Sequence, residues 1–218
     1  MVIGRWWLGL RARREQAAVA RRAIPDDLWK RTLVRYPFLR RRDAADAAEL
    51  RSALFYMAAS RQPTYLQLIR TKMPKIFDES YSFDPCRAVS LQAGEDVSLV
   101  ATGFMTGFAI QAAAELAKEG IKVDLLHYPS VKPFDTASLI QSAKKTGRVV
   151  TVENQNIIGG LGGAVCEAVC AEYPVAVKRL GIPDRFGEVA DQAYLFKKHG
   201  FGPHEIAQAC RETLRENS

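Results

Sequence analysis

Residues that usually announce chemistry are scarce in this chain of 218 residues. Its three histidines, His127, His199 and His204, lie far apart, and none has paired carboxylates at metal-ligand spacing, so the pattern carries no His-centred metal site. No serine or cysteine stands in a nucleophile-elbow context. The four cysteines, Cys86, Cys166, Cys170 and Cys210, include no CxxC pair. Cys166 and Cys170, four apart on an apolar helical face, read as small core hydrophobes, which suits a reducing compartment. Dinucleotide (GxGxxG) and P-loop spacings are missing, so neither cradle is signalled. Long hydrophobic runs are missing too: Arg11, Arg13 and Arg14 interrupt the short Trp6-Trp7-Leu8-Gly9-Leu10 stretch before a signal peptide can form, and nothing spans a membrane. The expected location is the cytoplasm.

Charge is present but uneven. The formal net charge is +7. Residues 1–42 hold 12 basic and 3 acidic residues, whereas the remaining chain holds 19 basic against 21 acidic. The globular part is therefore not basic, and aromatic residues are too sparsely interleaved with the arginines to favour a nucleic-acid-binding arm. Residues 1–42 read as a basic leader, either poorly ordered or the product of a disrupted gene start.

Beyond the leader the pattern becomes regular. Asp43 to Ser60 is Ala-rich, with one apolar helical face and Asp43 or Asp46 as cap, and Thr64 to Ile69 follows as a strand ending at Arg70. Residues 74–95, with Pro74, Pro85 and Gly94 among Phe77, Tyr81 and Phe83, read as a linker whose aromatics pack on the following domain, with a short strand from Ala88 to Leu91. From Asp96 onward strands alternate with helices: strands Val97 to Ala101, Val123 to His127, Arg148 to Glu153 and Val175 to Leu180; helices Thr106 to Lys118, Thr136 to Lys145, Ala164 to Ala171, Gln192 to His199 and Pro203 to Glu216. This alternation predicts a three-layer α/β/α domain over 96–218 around a mainly parallel five-stranded sheet.

The most informative stretch is Val149 to Val165. A β-branched strand core, Val149 to Val152, runs into the polar tetrad Glu153-Asn154-Gln155-Asn156, expected as a turn, and then into the loop Gly159-Gly160-Leu161-Gly162-Gly163 before the next helix. The glycines permit a tight turn and close helix packing, and equally a phosphate cradle. Glu153, at the end of a buried strand, reads either as an acid with a raised pKa or as the hydrogen-bond acceptor of the following turn. Gly103, after Thr102, closes a strand just before a helix, a place suited to holding an anion on backbone amides, though with one glycine at the turn the signal is weak. Lys132-Pro133-Phe134-Asp135 fixes a strand-to-helix connection with Asp135 as N-cap.

This segment, together with Asp96 to Gly103, Val131 to Asp135 and Leu180 to Gly187, resembles the transketolase family, in whose C-terminal domain a strand with a Glu-rich end runs into Gly-Gly-Leu-Gly. The resemblance covers roughly Asp43 to the end, and departs at Gln155, where the family often has His, and at Ala190, where it has Gly. It implies that 43–73 is the tail of a pyrimidine-binding domain and 96–218 a transketolase C-terminal domain. Gly103, Lys132, Pro133, Asp135, Glu153, Gly159, Gly160 and Gly162 are then structural motif residues, and no residue of this chain is catalytic. Arg70 matches the position at which transketolases bring an arginine to a sugar phosphate.

The implied activity is thiamine-diphosphate-dependent transfer of a two-carbon ketol unit between phosphorylated sugars. The Gly-Asp-Gly run with its downstream Asn that holds Mg²⁺ and diphosphate, and the Glu that activates the pyrimidine, are not found here. Thiamine diphosphate and Mg²⁺ thus belong to the complete enzyme and not to this chain alone, which is expected to be inactive without an N-terminal, diphosphate-binding partner in a homodimer or heterotetramer. Alternatives are a section of a deoxyxylulose-phosphate synthase or of a 2-oxo-acid dehydrogenase β subunit, or a non-catalytic remnant that serves as a dimerisation or interaction module.

Overall fold

A computed structural model describes residues 42–59, 66–70, 75–78, 80–185 and 188–215. The basic leader up to Arg41, Thr64 and Tyr65 of the expected strand, and the Phe186-Gly187 part of the last family motif lie outside them; of the described part of that strand, Leu66 to Leu68 are irregular and only Ile69, with Arg70, pairs in a sheet. The chain divides between Phe83 and Asp84 into two units, a boundary inside the stretch expected to be a linker.

In the first unit β1 (Arg42–Asp43) pairs antiparallel with β2 (Ile69–Arg70), Arg42 facing Arg70 and Asp43 facing Ile69. Helix α1 (Ala47–Ala59) starts on a polar knot. Asp46 caps it, Oδ1 accepting from the Glu49 amide at 2.9 Å, while Oδ2 accepts from the amides of Ile76 at 2.8 Å and Phe77 at 2.5 Å. Glu49 reaches back to the Ala45 amide at 2.8 Å and accepts from the Tyr81 hydroxyl at 3.0 Å. Both carboxylates are buried and accept from these donors. The linker aromatics were expected on the following domain. They engage the first unit: Phe77 stacks on Tyr81 (centroids 4.2 Å apart), Phe83 meets Tyr56 at 5.4 Å, and the Phe83 amide donates to Ser52 Oγ at 2.7 Å.

In the second unit the five-stranded sheet has the order β3-β5-β4-β6-β7 under the labels β3 (Val89–Gln92), β4 (Val97–Thr102), β5 (Val123–Tyr128), β6 (Arg148–Asn156) and β7 (Ala176–Ile182). The last four strands are parallel, and β3 runs antiparallel along the β5 edge. The helices are α2 (Met105–Ala117), α3 (Thr136–Thr146), α4 (Leu161–Glu172), α5 (Gln192–His199) and α6 (Pro203–Arg215). Right-handed crossovers in opposite directions from β4 and from β5 send α2 to one face and α3 and α4 to the other. The packing agrees, since α2 meets α6 and α3 meets α4. Covered on both faces, β4 and β5 are apolar through most of their length and buried almost throughout.

Burying a parallel sheet also buries polar groups, and most are paired, with Thr151 Oγ1 on β6 left without a partner among the described residues. Asp124 accepts from Ser142 Oγ at 2.5 Å, Lys145 Nζ at 2.6 Å and the Gly94 amide at 3.2 Å, and Ser142 lies 2.5 Å from Ser98. Among the described residues no helix is long and apolar enough to cross a membrane.

Two boundaries differ from the sequence reading. Glu153 to Asn156 belongs to β6 and is not a turn: after a register irregularity the strand still pairs Asn156 with Ile182. Helix α4 begins at Leu161, so Gly162 and Gly163 lie in its first turn and not in a loop. Cysteine burial also differs, since Cys170 is exposed and Cys166 half-buried, and only Cys210 is fully buried, its thiol pushed up to about 12 by desolvation.

Candidate functional site

The chain leaves β4 towards β5 on one side and returns to β6 on the other, so the C-terminal ends of β4 and β6 flank the topological switch point, where open α/β sheets place their ligand crevices. Gly103 and the Glu153 to Gly160 connection both lie there.

Glu153 is 1% exposed. Its Oε2 accepts from the Leu161 amide and its Oε1 from the Gly162 amide, both at 2.8 Å. A carboxylate from the strand thus fills the place of a side-chain cap at the start of α4, where the N-cap residue is Gly160. Desolvation pushes the Glu153 carboxyl pKa above the usual range, outweighing the two amides and the Arg179 charge that pull it down. Of the two readings open from sequence, perturbed acid and turn acceptor, the structure combines both in one residue.

The glycines explain themselves around that carboxylate. A Cβ on Gly160 would lie 1.9 Å from Glu153 Oε2, and one on Gly162 would lie 2.9 Å from Arg179 Cδ and 3.0 Å from Thr151 Oγ1. Gly181, on β7, closes the other side, where a Cβ would stand 3.1 Å from Glu153 Cγ. Gly159 takes φ +76°, a left-handed turn. With the Leu161 and Gly162 amides occupied, this end of α4 is a packing joint rather than a phosphate cradle.

Gly103, also left-handed at φ +51°, turns the chain from β4 into α2, and Thr102 Oγ1 donates to the Tyr128 carbonyl at 2.7 Å. Asp135 caps α3 through the Ser138 amide at 3.1 Å and ties down Ala88 at 2.9 Å. Burial works to raise its pKa, but the Ser138 and Ala88 hydrogen bonds and the Arg87 charge prevail and hold it below the usual carboxylate range. The Lys132-Pro133 peptide bond before it is cis. His127 is buried, its Nδ1 2.7 Å from Thr106 Oγ1, while His204 is exposed, 3.2 Å from Glu115. Arg70 ends β2 in the first unit, and its side chain lies outside the described residues.

Sequence reading offered the two roles of Glu153 as alternatives and missed that the amides it accepts from are those at the start of α4. An acceptor eight residues upstream of its donor leaves no local capping signal, and the available hint was the pairing of an acid at a strand end with glycines at 160 and 162.

This arrangement of sheet, switch point and capped glycine turn defines an α/β domain of known type. A model of the transketolase C-terminal domain matches residues 87–206, and the chain belongs to that family. It is 42% identical over 176 residues to a 6-deoxy-6-sulfo-D-fructose transketolase subunit from Clostridium sp., covering 80% of this chain and 55% of that one. A 1-deoxy-D-xylulose-5-phosphate synthase from Heliobacterium modesticaldum is 38% identical over 58% of this chain and 20% of its own length. Among solved structures, a split-gene transketolase described as an inactive β4 tetramer superposes with a TM-score of 0.72 at 36% identity, covering 80% of this chain and 57% of that one. The chain thus spans about half the length of the transketolase relatives it matches.

Transketolases depend on thiamine diphosphate. Among the described residues no group of three or more His, Cys, Asp or Glu side chains converges as a metal site, and Glu153 has both oxygens committed to backbone amides. With both oxygens taken, Glu153 does not fit the role of a pyrimidine-activating acid.

Proposed function

We propose that this chain is the C-terminal part of a transketolase that moves two-carbon ketol units between sugars bearing a terminal anion, completed by a polypeptide that supplies the diphosphate-binding domain. One observation carries the reading: the transketolase subunit from Clostridium matches 80% of the chain, whereas the synthase matches 58%. The chain supplies scaffold, assembly surface and Arg70; the cofactor supplies the carbanion chemistry, and the partner holds it. The assembly is a homodimer or a heterotetramer, in keeping with relatives that are named as subunits.

Arg70 contacts the anionic end of the substrate. A guanidinium pairs bidentately with a tetrahedral oxyanion, phosphate or sulfonate, and fixes the sugar's far end while its carbonyl reacts. The test is to combine the chain with a diphosphate-binding polypeptide and follow ketol transfer. The chain alone should give no turnover and no tight calorimetric binding of thiamine diphosphate with Mg²⁺, and the mixture should give both. Arg70→Ala in the mixture should cost about 2–3 kcal/mol, or roughly 30- to 150-fold in KM, for phosphorylated or sulfonated sugars and little for neutral analogues. Tight cofactor binding by the isolated chain would overturn the division of labour, and equal losses on charged and neutral sugars would make Arg70 a structural residue.

A further inference from the structure

Cys166 and Cys170 are a motif that the fold does not absorb. The sequence reads them as core hydrophobes, yet Cys170 is exposed and Cys166 only half-buried. Leu161, Val165 and Val169 carry the buried face of α4. Gly162, Cys166 and Cys170 form the neighbouring row, each four residues from the last. That row starts against β7, where a Cβ on Gly162 would lie 2.9 Å from Arg179 Cδ. The Cys166 thiol is within electrostatic reach of both Arg179 and Cys170. The two thiols thus share the flank of α4 that runs beside the edge strand of the sheet.

We propose that Cys166 and Cys170 together chelate a soft, two-coordinate d10 cation such as Cu(I). Spacing is the first argument. Side chains four apart on a helix carry Cβ atoms about 5–6 Å apart, whereas a disulfide wants about 3.5–4.5 Å. Two metal–sulfur bonds of about 2.3 Å set in line span about 4.6 Å, which that spacing accepts with the helix intact. The ligand set is the second. All four cysteines and all three histidines lie among the described residues, and no third His, Cys, Asp or Glu there joins the pair. A tetrahedral ion such as Zn²⁺ wants four ligands, whereas a sulfur-only pair suits Cu(I). Binding exchanges protons for the ion: two S–H bonds break, two metal–sulfur bonds form and two protons leave. With Cu(I) the product is a bis-thiolate of charge −1, and Arg179 stands beside it to balance that charge. Burial pushes the Cys166 thiol up, outweighing the Arg179 charge that pulls it down, so this sulfur keeps its proton until an ion displaces it. The site owes nothing to the functional reading above.

The probe is Cu(I), kept reduced without oxygen and offered to the full chain from a chromophoric chelator. The wild type should withdraw one equivalent per chain. Cys170→Ser, substituted at an exposed position, should bind about 100-fold more weakly, because the second sulfur no longer binds intramolecularly. Cys166→Ser should lose as much, and Cys86→Ser, exposed but far from α4 in sequence, should bind like the wild type. X-ray absorption of the loaded wild type, which depends on no variant, should show two sulfur neighbours at the copper. Affinity should fall by up to about 100-fold per pH unit as pH drops, since two protons compete with the ion. No uptake, one ion shared between two chains, undiminished affinity in Cys170→Ser, loss in Cys86→Ser, or three or more ligand atoms at the copper would each overturn the proposal.

Discussion

The two units solve the burial of acidic side chains in different settings. In the second, Glu153 and Asp124 sit inside a sheet closed by its own helices, and the glycines at 160, 162 and 181 are shaped around one of them. In the first, Asp46 and Glu49 are as well satisfied, yet they anchor a helix whose apolar side faces outward. Satisfied polar groups fix where a helix starts, but covering its apolar surface takes a second layer. The second unit supplies that layer from its own sequence, and among the described residues of the first unit no such layer covers α1.

Substitutions can break this contrast. The largest effect is expected at Gly160→Val. Its backbone, at φ −98°, accepts any residue, but the new Cβ overlaps the Glu153 carboxylate and must displace the acceptor of two amides. The second unit should lose about 3 kcal/mol in denaturant unfolding, with the first unit unaffected. Asp46→Ala does the converse: removing the cap leaves the Ile76 and Phe77 amides without their acceptor as well, at about 2–3 kcal/mol. Limited proteolysis should then open the first unit and spare the second.

A smaller effect, about 1–2 kcal/mol, follows Glu153→Gln, because an amide offers one acceptor where two donors converge. Its sign with pH is the sharper test. The folded-state pKa of Glu153 is raised, so the folded protein holds that proton more tightly than the unfolded chain. The wild type therefore loses stability as pH rises from the ordinary carboxylate value through the raised one. Its margin over the Gln variant should narrow as pH rises across that window; a widening margin would mean the amides dominate the pKa. Least of all, Leu54→Ser on the open side of α1 should change folding stability in dilute solution by no more than about 0.5 kcal/mol.

Legibility from sequence followed how local the cause was. Strands β4, β5 and β6 and the helices between them announced themselves because each is an apolar run or an amphipathic period contained in its own residues. Asp135 and Asp46 were readable as caps for the same reason, three residues from the amides they accept. The ends of β6 and α4 were not. Whether Glu153 to Asn156 stays extended depends on β7, and whether α4 starts before or after Gly162 depends on an acid from the preceding strand. The direction in which Phe77, Tyr81 and Phe83 pack likewise depended on α1, some thirty residues earlier in the chain.

The strand order also sets a timetable. β4 is central, and its second neighbour, β6, is made about fifty residues later, Ser98 pairing with Val149. While the ribosome adds α2, β5 and α3, the nascent chain can close only one side of β4, and the most apolar strand of the domain waits with an open edge. Chaperone dependence during synthesis should therefore be concentrated between the emergence of Thr102 and that of Val152, and slow codons in that window should lower the yield of folded protein more than slow codons after it.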